Sequence, residues 1–299
     1  MSTTRSALLI FNPLAGRGHS RRAAQLPRLS QYLRDRGIEL EAVATTGPRD
    51  ATRLAHTAAR DGVRDVIVSG GDGTINEALQ GLIGTNVRLS VWPAGTENVL
   101  ARQLRLPFDP QTAAEVIARA HTQRLHIGCA VTEATGEKRY FFLMAGIGLD
   151  AAVVESVPPR LKRRVGEAAF WYAGLGHLAR WRPASFTVEI NGQKFTATFA
   201  SMGKSSRYGG DLAITPGARL EAREFEVCVV NSQSRLRYLY LLLHAMRGGV
   251  AEHLVGVRFI RARQVRAVGD ALVQADGEVI GRLPMTFEVV ADPVEVITP

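Results

Sequence analysis

The sequence predicts a two-part chain, an α/β half built on a mostly parallel sheet followed by an antiparallel, β-rich half. Three observations predict it. Up to about Arg124, short apolar runs alternate with stretches of helical spacing, the pattern of strands joined by right-handed crossovers. The early apolar runs end in glycine-rich or polar turns, as at Asn12-Pro13-Leu14-Ala15-Gly16 and Ser69-Gly70-Gly71-Asp72-Gly73. Beyond Arg124 strand patterns dominate, and Asn191-Gly192 stands between two alternating runs, a strong hairpin signal. At 299 residues the chain can bury two moderate cores.

In order, Ala7 to Phe11 is apolar and short, a buried strand. Leu26, Leu29, Tyr32 and Leu33 recur at helical spacing and predict a helix over 21–36, closed by Gly37. Ile38 to Ala44 alternates as a strand and delivers Thr45 and Thr46, and a second helix over 50–61 stops at Gly62. Val66 to Val68 is a further buried strand; the chain breaks at 69–73 and resumes as a helix from Thr74, with Ile75, Ala78, Leu79 and Leu82 on one face. A strand over 88–92 leads into Pro93-Ala94-Gly95-Thr96-Glu97-Asn98. Helices are expected over 97–104 and 110–120, the second capped by Asp109 with Pro110 in its first turn.

In an open α/β sheet the carboxyl ends of the strands share one edge, where ligands bind. Asn12, Thr45 or Thr46, Gly70 to Thr74 and Gly95-Thr96 are therefore expected to line one crevice. Glycines let backbone N–H groups approach a phosphate closely, and a helix N-terminus adds partial positive charge. Asp72 would repel phosphates unless a divalent cation or a reacting hydroxyl sat between them. The turn reads as the phosphate-donor site of a kinase.

The second half is expected to hold strands over 125–132 and 140–145, a turn at 146–150, a helix over 163–179, a hairpin about Asn191-Gly192, strands over 213–216, 225–230, 257–262 and 265–268, and a helix over 236–247. Ala271 to Ala275 is a strand that turns at Asp276-Gly277-Glu278. Asp-Gly suits a hairpin turn by itself. A kinase also needs a carboxylate that takes the proton of the acceptor hydroxyl.

The net charge of +9, mostly arginine, points to an anionic partner. The run Arg160-Leu161-Lys162-Arg163-Arg164 reads either as a solvated helix start or as a membrane contact. No aromatic-plus-basic stacking signature accompanies the charge, so nucleic acid is not the expected partner. Cys129 and Cys228 each sit in an apolar strand-like run and read as buried thiols. The apolar run at 7–11 is too short for a signal peptide, and the one at 239–250 is interrupted by His244 and Arg247. A cytoplasmic location is the resulting expectation.

Three stretches, Gly70-Gly71-Asp72-Gly73-Thr74-Ile75-Asn76-Glu77, Pro93-Ala94-Gly95-Thr96-Glu97-Asn98 and Asp276-Gly277-Glu278, resemble the diacylglycerol kinase catalytic-domain family, which includes bacterial soluble lipid kinases, sphingosine kinases and ceramide kinases. Phe11-Asn12-Pro13, the segment 145–150 and Tyr208-Gly209-Gly210 fit the same pattern, in the same order along nearly the whole chain. The resemblance implies a nucleotide-binding domain related to phosphofructokinase and NAD kinase over 1–124, a C-terminal β-sandwich over 125–283 that takes the lipid, a cleft between them, and a final segment, 284–299, that returns to the first domain. It implies that ATP is held by Asn12, Thr45, Thr46, Gly70, Gly71, Asp72, Gly73, Thr74, Asn76, Gly95 and Thr96. Asp72 would act near the phosphates with Mg2+, and Glu278 would be the general base. The expected reaction is phosphorylation of diacylglycerol to phosphatidic acid at a membrane surface, by a peripherally bound protein; a homodimer is compatible with the sequence.

Two departures stand out. Where the family carries an acidic residue after Asn98, this chain has Val99, and Glu97 is the nearby carboxylate. Where members with an accessory magnesium carry Asp-Gly, this chain has Ala222-Arg223, which cannot ligate the ion, so that site is not expected. Two other functions remain open at this stage. NAD kinase shares the Gly-Gly-Asp-Gly-Thr turn, although Ile75-Asn76-Glu77 and Asp276-Gly277-Glu278 fit lipid kinases better. The substituted metal region is also compatible with a nucleotide-responsive binding protein that has lost catalysis.

Overall fold

A computed structural model describes residues 5–15, 19–94, 98–156, 183–208, 212–250 and 254–299. The helix expected over 163–179, the basic run at 160–164, and Gly95, Thr96, Glu97, Gly209 and Gly210 lie outside the described residues. The chain divides into two compact units, Met1–Leu125 with Asp292–Pro299, and His126–Ala291.

The first unit runs β1 (Arg5–Phe11), α1 (His19–Arg34), β2 (Ile38–Ala44), α2 (Asp50–Arg60), β3 (Asp65–Ser69), α3 (Asp72–Leu82), β4 (Arg88–Val91), α4 (Val99–Gln103), α5 (Pro110–Arg119) and β5 (Thr122–Leu125). Its six-stranded sheet has the order β2-β1-β3-β4, then the C-terminal strand Val294–Ile297, then β5. All neighbouring pairs are parallel except the last, in which β5 runs antiparallel to the C-terminal strand. Every residue of β3 is buried, which is why it reads as a continuous apolar run rather than an alternation. Leu9, Ile67 and Trp92 pack with Leu29 and Leu33 of α1 and Ile117 of α5 in one core. On α3, Gly81 lets the helix lie close against α2: a Cβ there would come within 2.4 Å of the Thr52 carbonyl oxygen. The Thr52 hydroxyl donates to the carbonyl of Glu77 at 2.7 Å across the same contact.

Asp65 opens β3 with its side chain fully buried, between Arg5 at the start of β1 and Arg88 at the start of β4. Arg88 donates to the two carboxylate oxygens at 2.7 and 3.1 Å, and the Arg5 guanidinium pairs with the same carboxylate and donates to the carbonyls of Ile117 and Ala118. This clamp fixes the amino ends of three neighbouring strands and so sets where their carboxyl ends emerge.

The second unit runs β6 (Gly128–Thr132), β7 (Lys138–Phe141), β8 (Met144–Gly148), α6 (Leu149–Ser156), β9 (Phe186–Ile190), β10 (Gln193–Ala197), β11 (Phe199–Gly203), β12 (Phe225–Val230), α7 (Arg235–Arg247), β13 (Val257–Ala262), β14 (Gln264–Val268), β15 (Leu272–Ala275), β16 (Glu278–Arg282) and β17 (Met285–Val289). Two six-stranded antiparallel sheets form, β10-β9-β14-β17-β6-β7 and β13-β12-β11-β8-β15-β16. Phe141, Val188, Val265 and Phe287 of the first join Ile147, Met202, Phe225 and Val227 of the second in one apolar core, a β-sandwich. Asn191 and Gly192 make the predicted hairpin turn with φ of +50° and +77°. Both thiols are buried, and burial pushes Cys129 up to about 11.

Several expected elements differ. The apolar run at 125–132 is two strands: Leu125 pairs with Val294 in the first unit, whereas Gly128 onward pairs with β17 and β7. The run at 140–145 breaks at Phe142 and Leu143, whose N–H groups turn to a carboxylate described below. Residues 146–150 are the end of β8 and the start of α6 rather than a turn. No strand forms at 213–216, where the Thr215 hydroxyl instead donates to the carbonyl of Ser205 at 3.2 Å. Met285–Val289 belongs to the second unit, and the chain enters the first at Asp292. No helix among the described residues is long and apolar enough to cross a membrane.

Replacing Asp65 with alanine strands two arginines beside a buried position and is expected to destabilise the protein by about 3–5 kcal/mol. Urea unfolding at low and high salt checks this, since a buried pair keeps most of its effect at high ionic strength where a surface pair does not.

Candidate functional site

The order β2-β1-β3-β4 changes direction between β1 and β3, and at that switch point the carboxyl ends of two adjacent strands open a crevice in an α/β sheet. Asn12 follows β1. Its N–H donates to the carbonyl of Ser69 at 2.9 Å, its Oδ1 accepts from the N–H of Leu14 at 2.9 Å, and its Nδ2 donates to Thr74 Oγ1 at 3.3 Å. The N–H of Thr45 donates to the carbonyl of Phe11 at 2.8 Å, which sets the end of β2 beside the end of β1. Gly70 ends the strand side of the turn. A Cβ there would lie 2.6 Å from both Cβ and Oγ1 of Thr74, so only glycine lets α3 begin this close to β3. Gly71 is the N-cap of α3 and brings no side chain to cap it. At Gly73, in the first turn, an added Cβ would meet nothing within 4 Å among the described residues.

The segment after β4 is tied to this turn. The N–H of Ala94 and Nδ2 of Asn98 both donate to the carbonyl of Gly70, at 3.3 and 2.8 Å. Asn98 is buried with φ of +40°, and among the described residues its Oδ1 has no hydrogen-bond partner. As the N-cap of α4 it makes no side-chain cap. Asp72 supplies one from another helix: its Oδ2 accepts from the N–H of Val99 at 3.0 Å and its Oδ1 from that of Leu100 at 3.3 Å. Val99 is buried, so its position faces the interior.

Of the residues expected to hold nucleotide, Asn12 and Gly70 to Thr74 come together at one edge, with Thr45 beside them. The Thr46 N–H and hydroxyl are both engaged by Asp50, at 2.9 and 3.1 Å, and with Arg53 these bonds hold the Asp50 carboxyl below its usual range. Asn76 is buried and accepts from Gln80 Nε2 at 2.9 Å.

In the second unit, Asp276 and Gly277 form the turn between β15 and β16 with φ of +46° and +81°, the left-handed pair that suits a tight hairpin. The Asp276 carboxylate accepts three consecutive backbone N–H groups, from Phe142 and Leu143 at 2.9 Å and Met144 at 3.0 Å. The carbonyl of Leu143 in turn accepts from the N–H groups of Lys204 and Ser205. Fully buried Gln274 accepts from the N–H of Gly277 at 2.8 Å and from the Tyr208 hydroxyl at 3.1 Å. The side chain of Glu278 is half exposed and ion-paired with Arg139. Arg139 and Gln274 are not singled out by the sequence: Arg139 follows Glu137 and Lys138 in a charged stretch, Gln274 is the lone polar residue of an apolar strand, and nothing local marks either.

The carbonyls around Ala222-Arg223 face a buried lysine. Lys204, just past β11, is fully buried, and its Nζ donates to the carbonyls of Ala222 and Glu224. Burial pushes this ammonium down to about 8, against the opposing pull of Glu221 and Glu224. Among the described residues no group of three or more histidines, cysteines, aspartates or glutamates could hold a metal ion.

Comparison with known proteins adds to this geometry. Residues 6–130 match the family model of the diacylglycerol kinase catalytic domain, and residues 144–298 match that of the YegS C-terminal NAD kinase beta sandwich-like domain. The chain is 31% identical to a diacylglycerol kinase of Mycobacterium tuberculosis, over 97% of this chain and 94% of the relative. It is 29% identical to a diacylglycerol kinase of Staphylococcus saprophyticus, over 98% and 95%. A crystal structure of a diacylglycerol kinase from Bacillus anthracis has the same fold, with a TM-score of 0.74 at 20% identity over 100% of this chain and 98% of that one. A second crystal structure from that organism gives 0.79 at 23% identity, over 100% and 97%.

The buried lysine generates a pH prediction. Its folded pKa is lowered, from 10.5 to about 8, so between those values the unfolded chain binds more protons than the folded one. Stability contributed by this group therefore rises with pH through that window, by up to about 3 kcal/mol. Urea unfolding of wild type and Lys204→Met from pH 7.5 to pH 10 measures it: the difference shifts in favour of wild type as pH increases, whereas a pH-independent difference means the ammonium is not desolvated.

Proposed function

The chain belongs to the diacylglycerol kinase catalytic-domain family, and from that premise we propose that it transfers the γ-phosphate of ATP to a lipid hydroxyl, with diacylglycerol as acceptor and phosphatidic acid as product. The observation that carries the reading is the rim formed by Asn12, Gly70–Thr74, Ala94 and Asn98, where Asn12 bonds Thr74, the Gly70 carbonyl accepts from Ala94 and Asn98, and Asp72 caps the helix after Asn98, at the switch point of a parallel sheet. The identity with the Mycobacterium tuberculosis relative supports the choice of lipid.

In this mechanism the phosphates of ATP lie along Gly70 to Thr74, where the open space at Gly73 permits close approach to backbone N–H groups at the start of α3. Asn12 and Thr74 brace each other across the turn. Magnesium carried with ATP fits the oxygens present. The Asp72 carboxylate, and the buried Asn98 Oδ1, which has no hydrogen-bond partner among the described residues, are oxygen donors of the kind this ion takes. Held by the phosphates, with Asp72 and Asn98 as the protein-side oxygens, the ion would neutralise phosphate charge. Glu278 accepts the proton of the acceptor hydroxyl, oriented by Arg139, while Asp276 and Gln274 fix the turn that carries it.

Two measurements test the reading. ATP-dependent phosphorylation is followed on vesicles containing diacylglycerol, monoacylglycerol, ceramide or sphingosine, and on NAD in solution, with wild type and Glu278→Gln. Phosphatidic acid is the expected product, and the variant is expected to lose about 10²–10⁴-fold in kcat with its Tm unchanged; NADP as the product overturns the reading. Gly73→Ala is expected to fold as wild type does, because its Cβ enters open space, and to raise the KM for ATP. An unchanged KM would remove the phosphates from this turn.

A further inference from the structure

Helix α7 presents two faces of opposite character. Tyr238, Leu241 and Ala245 are buried with Cys228 and Val230 of β12 and with Val257. On the other side Leu236, Tyr240 and Leu243 are 78%, 43% and 40% exposed, at spacings of four and three residues that put them in one outward stripe, and exposed Met246 lies beside it. A helix on a soluble surface ordinarily turns polar residues to water. This one turns leucines.

The neighbours of the stripe are cationic. Arg235, Arg237 and Arg247 belong to the same helix, and the sequence has no acidic residue between Glu226 and Glu252. The Arg237 guanidinium lies over the Tyr240 ring, 5.5 Å from its centroid, and donates to the carbonyl of Val255, whose own side chain is 84% exposed. Tyr240 meets the His244 ring edge-on at 4.4 Å. An apolar ridge is thus held in place, bordered by positive charge and amphipathic rings. That is the composition of a helix that lies in the interface of an anionic bilayer. A second copy of the chain would set arginine against arginine on the same face.

We propose that the outer face of α7, with Val255, is the surface by which the protein docks on anionic membrane, its leucines entering the headgroup–acyl boundary and its arginines meeting lipid phosphates. The proposal rests on the lipid-kinase reading only in that the acceptor then lies in the same bilayer; binding itself needs no catalysis.

Sedimentation with vesicles of phosphatidylcholine alone, or of phosphatidylcholine mixed with phosphatidylglycerol, tests it. Wild type is expected to bind the mixed vesicles, more weakly as salt rises. The double variant Leu236→Ser with Leu243→Ser, which alters only exposed positions, is expected to bind at least about tenfold more weakly. Arg235→Gln with Arg247→Gln is expected to lose the preference for phosphatidylglycerol. Phe108→Ser, an exposed apolar residue of the first unit, serves as the control and is expected to bind as wild type does. Equal binding by wild type and the serine double variant, or equal loss in the Phe108 variant, overturns the proposal. So does a serine double variant that changes the oligomeric state in size-exclusion chromatography but not vesicle binding. Glu278→Gln is expected to bind vesicles normally, so loss of docking and loss of phosphotransfer are read separately.

Discussion

Asp276 accepts three consecutive backbone N–H groups at the place where β7 gives way to β8, and the shape of the second unit's turn depends on it. Leaving a strand frees N–H groups that have no ladder partner, and buried donors without acceptors cost about 1–3 kcal/mol each. An ionised carboxylate answers all three at once with charge-assisted bonds. In return, the break holds Asp276 in a left-handed conformation that a non-glycine residue seldom adopts. The hairpin is therefore anchored from its first turn residue, and Glu278, two positions later, is carried out on a fixed backbone.

Asp72 does for the first unit what Asp276 does for the second. It caps α4 from the start of α3, so the segment after β4 cannot drift from the glycine turn without exposing the N–H groups of Val99 and Leu100. The carbonyl of Gly70 adds two more bonds to the same segment. Each unit thus has an acidic residue in a glycine-containing turn whose oxygens bind backbone first. In the proposed mechanism the division follows from exposure: Asp72 and Asp276 hold loops, and half-exposed Glu278 is left for proton transfer.

What the sequence made legible was local. The apolar runs of β1 and β3, the helical spacing of α1 and α3 and the Asn191-Gly192 turn can each be read within a window of a dozen residues. The resemblance supplied Glu278, which as a strand residue after Asp-Gly carries no mark of its own. Pairings across the chain were not legible. Leu125 and Gly128 look like one strand because nothing in their own stretch shows that their partners, Val294 and Val289, belong to different units. The break at Phe142 was hidden for the same reason, its acceptor lying more than 130 residues downstream.

Lys204 shows a second limit, one of chemistry rather than distance. In Ser201-Met202-Gly203-Lys204-Ser205-Ser206 a lysine reads as a surface residue, and its acceptors are carbonyl oxygens, which every residue carries and no sequence pattern displays. Alanine and arginine at 222 and 223 bring no carboxylate of their own, and the carbonyls of Ala222 and Glu224 present the negative ends of their dipoles to a buried point. A monovalent cation on the chain's own side chain satisfies them without an ion from solution, at the cost of desolvating the ammonium, and Glu221 and Glu224 offset part of that cost. The same lysine's N–H donates to the carbonyl of Leu143, whose own N–H is held by Asp276. The buried cation and the turn that carries Glu278 are therefore two ends of one hydrogen-bonded path, from the Lys204 side chain through the Leu143 peptide groups to the Asp276 carboxylate.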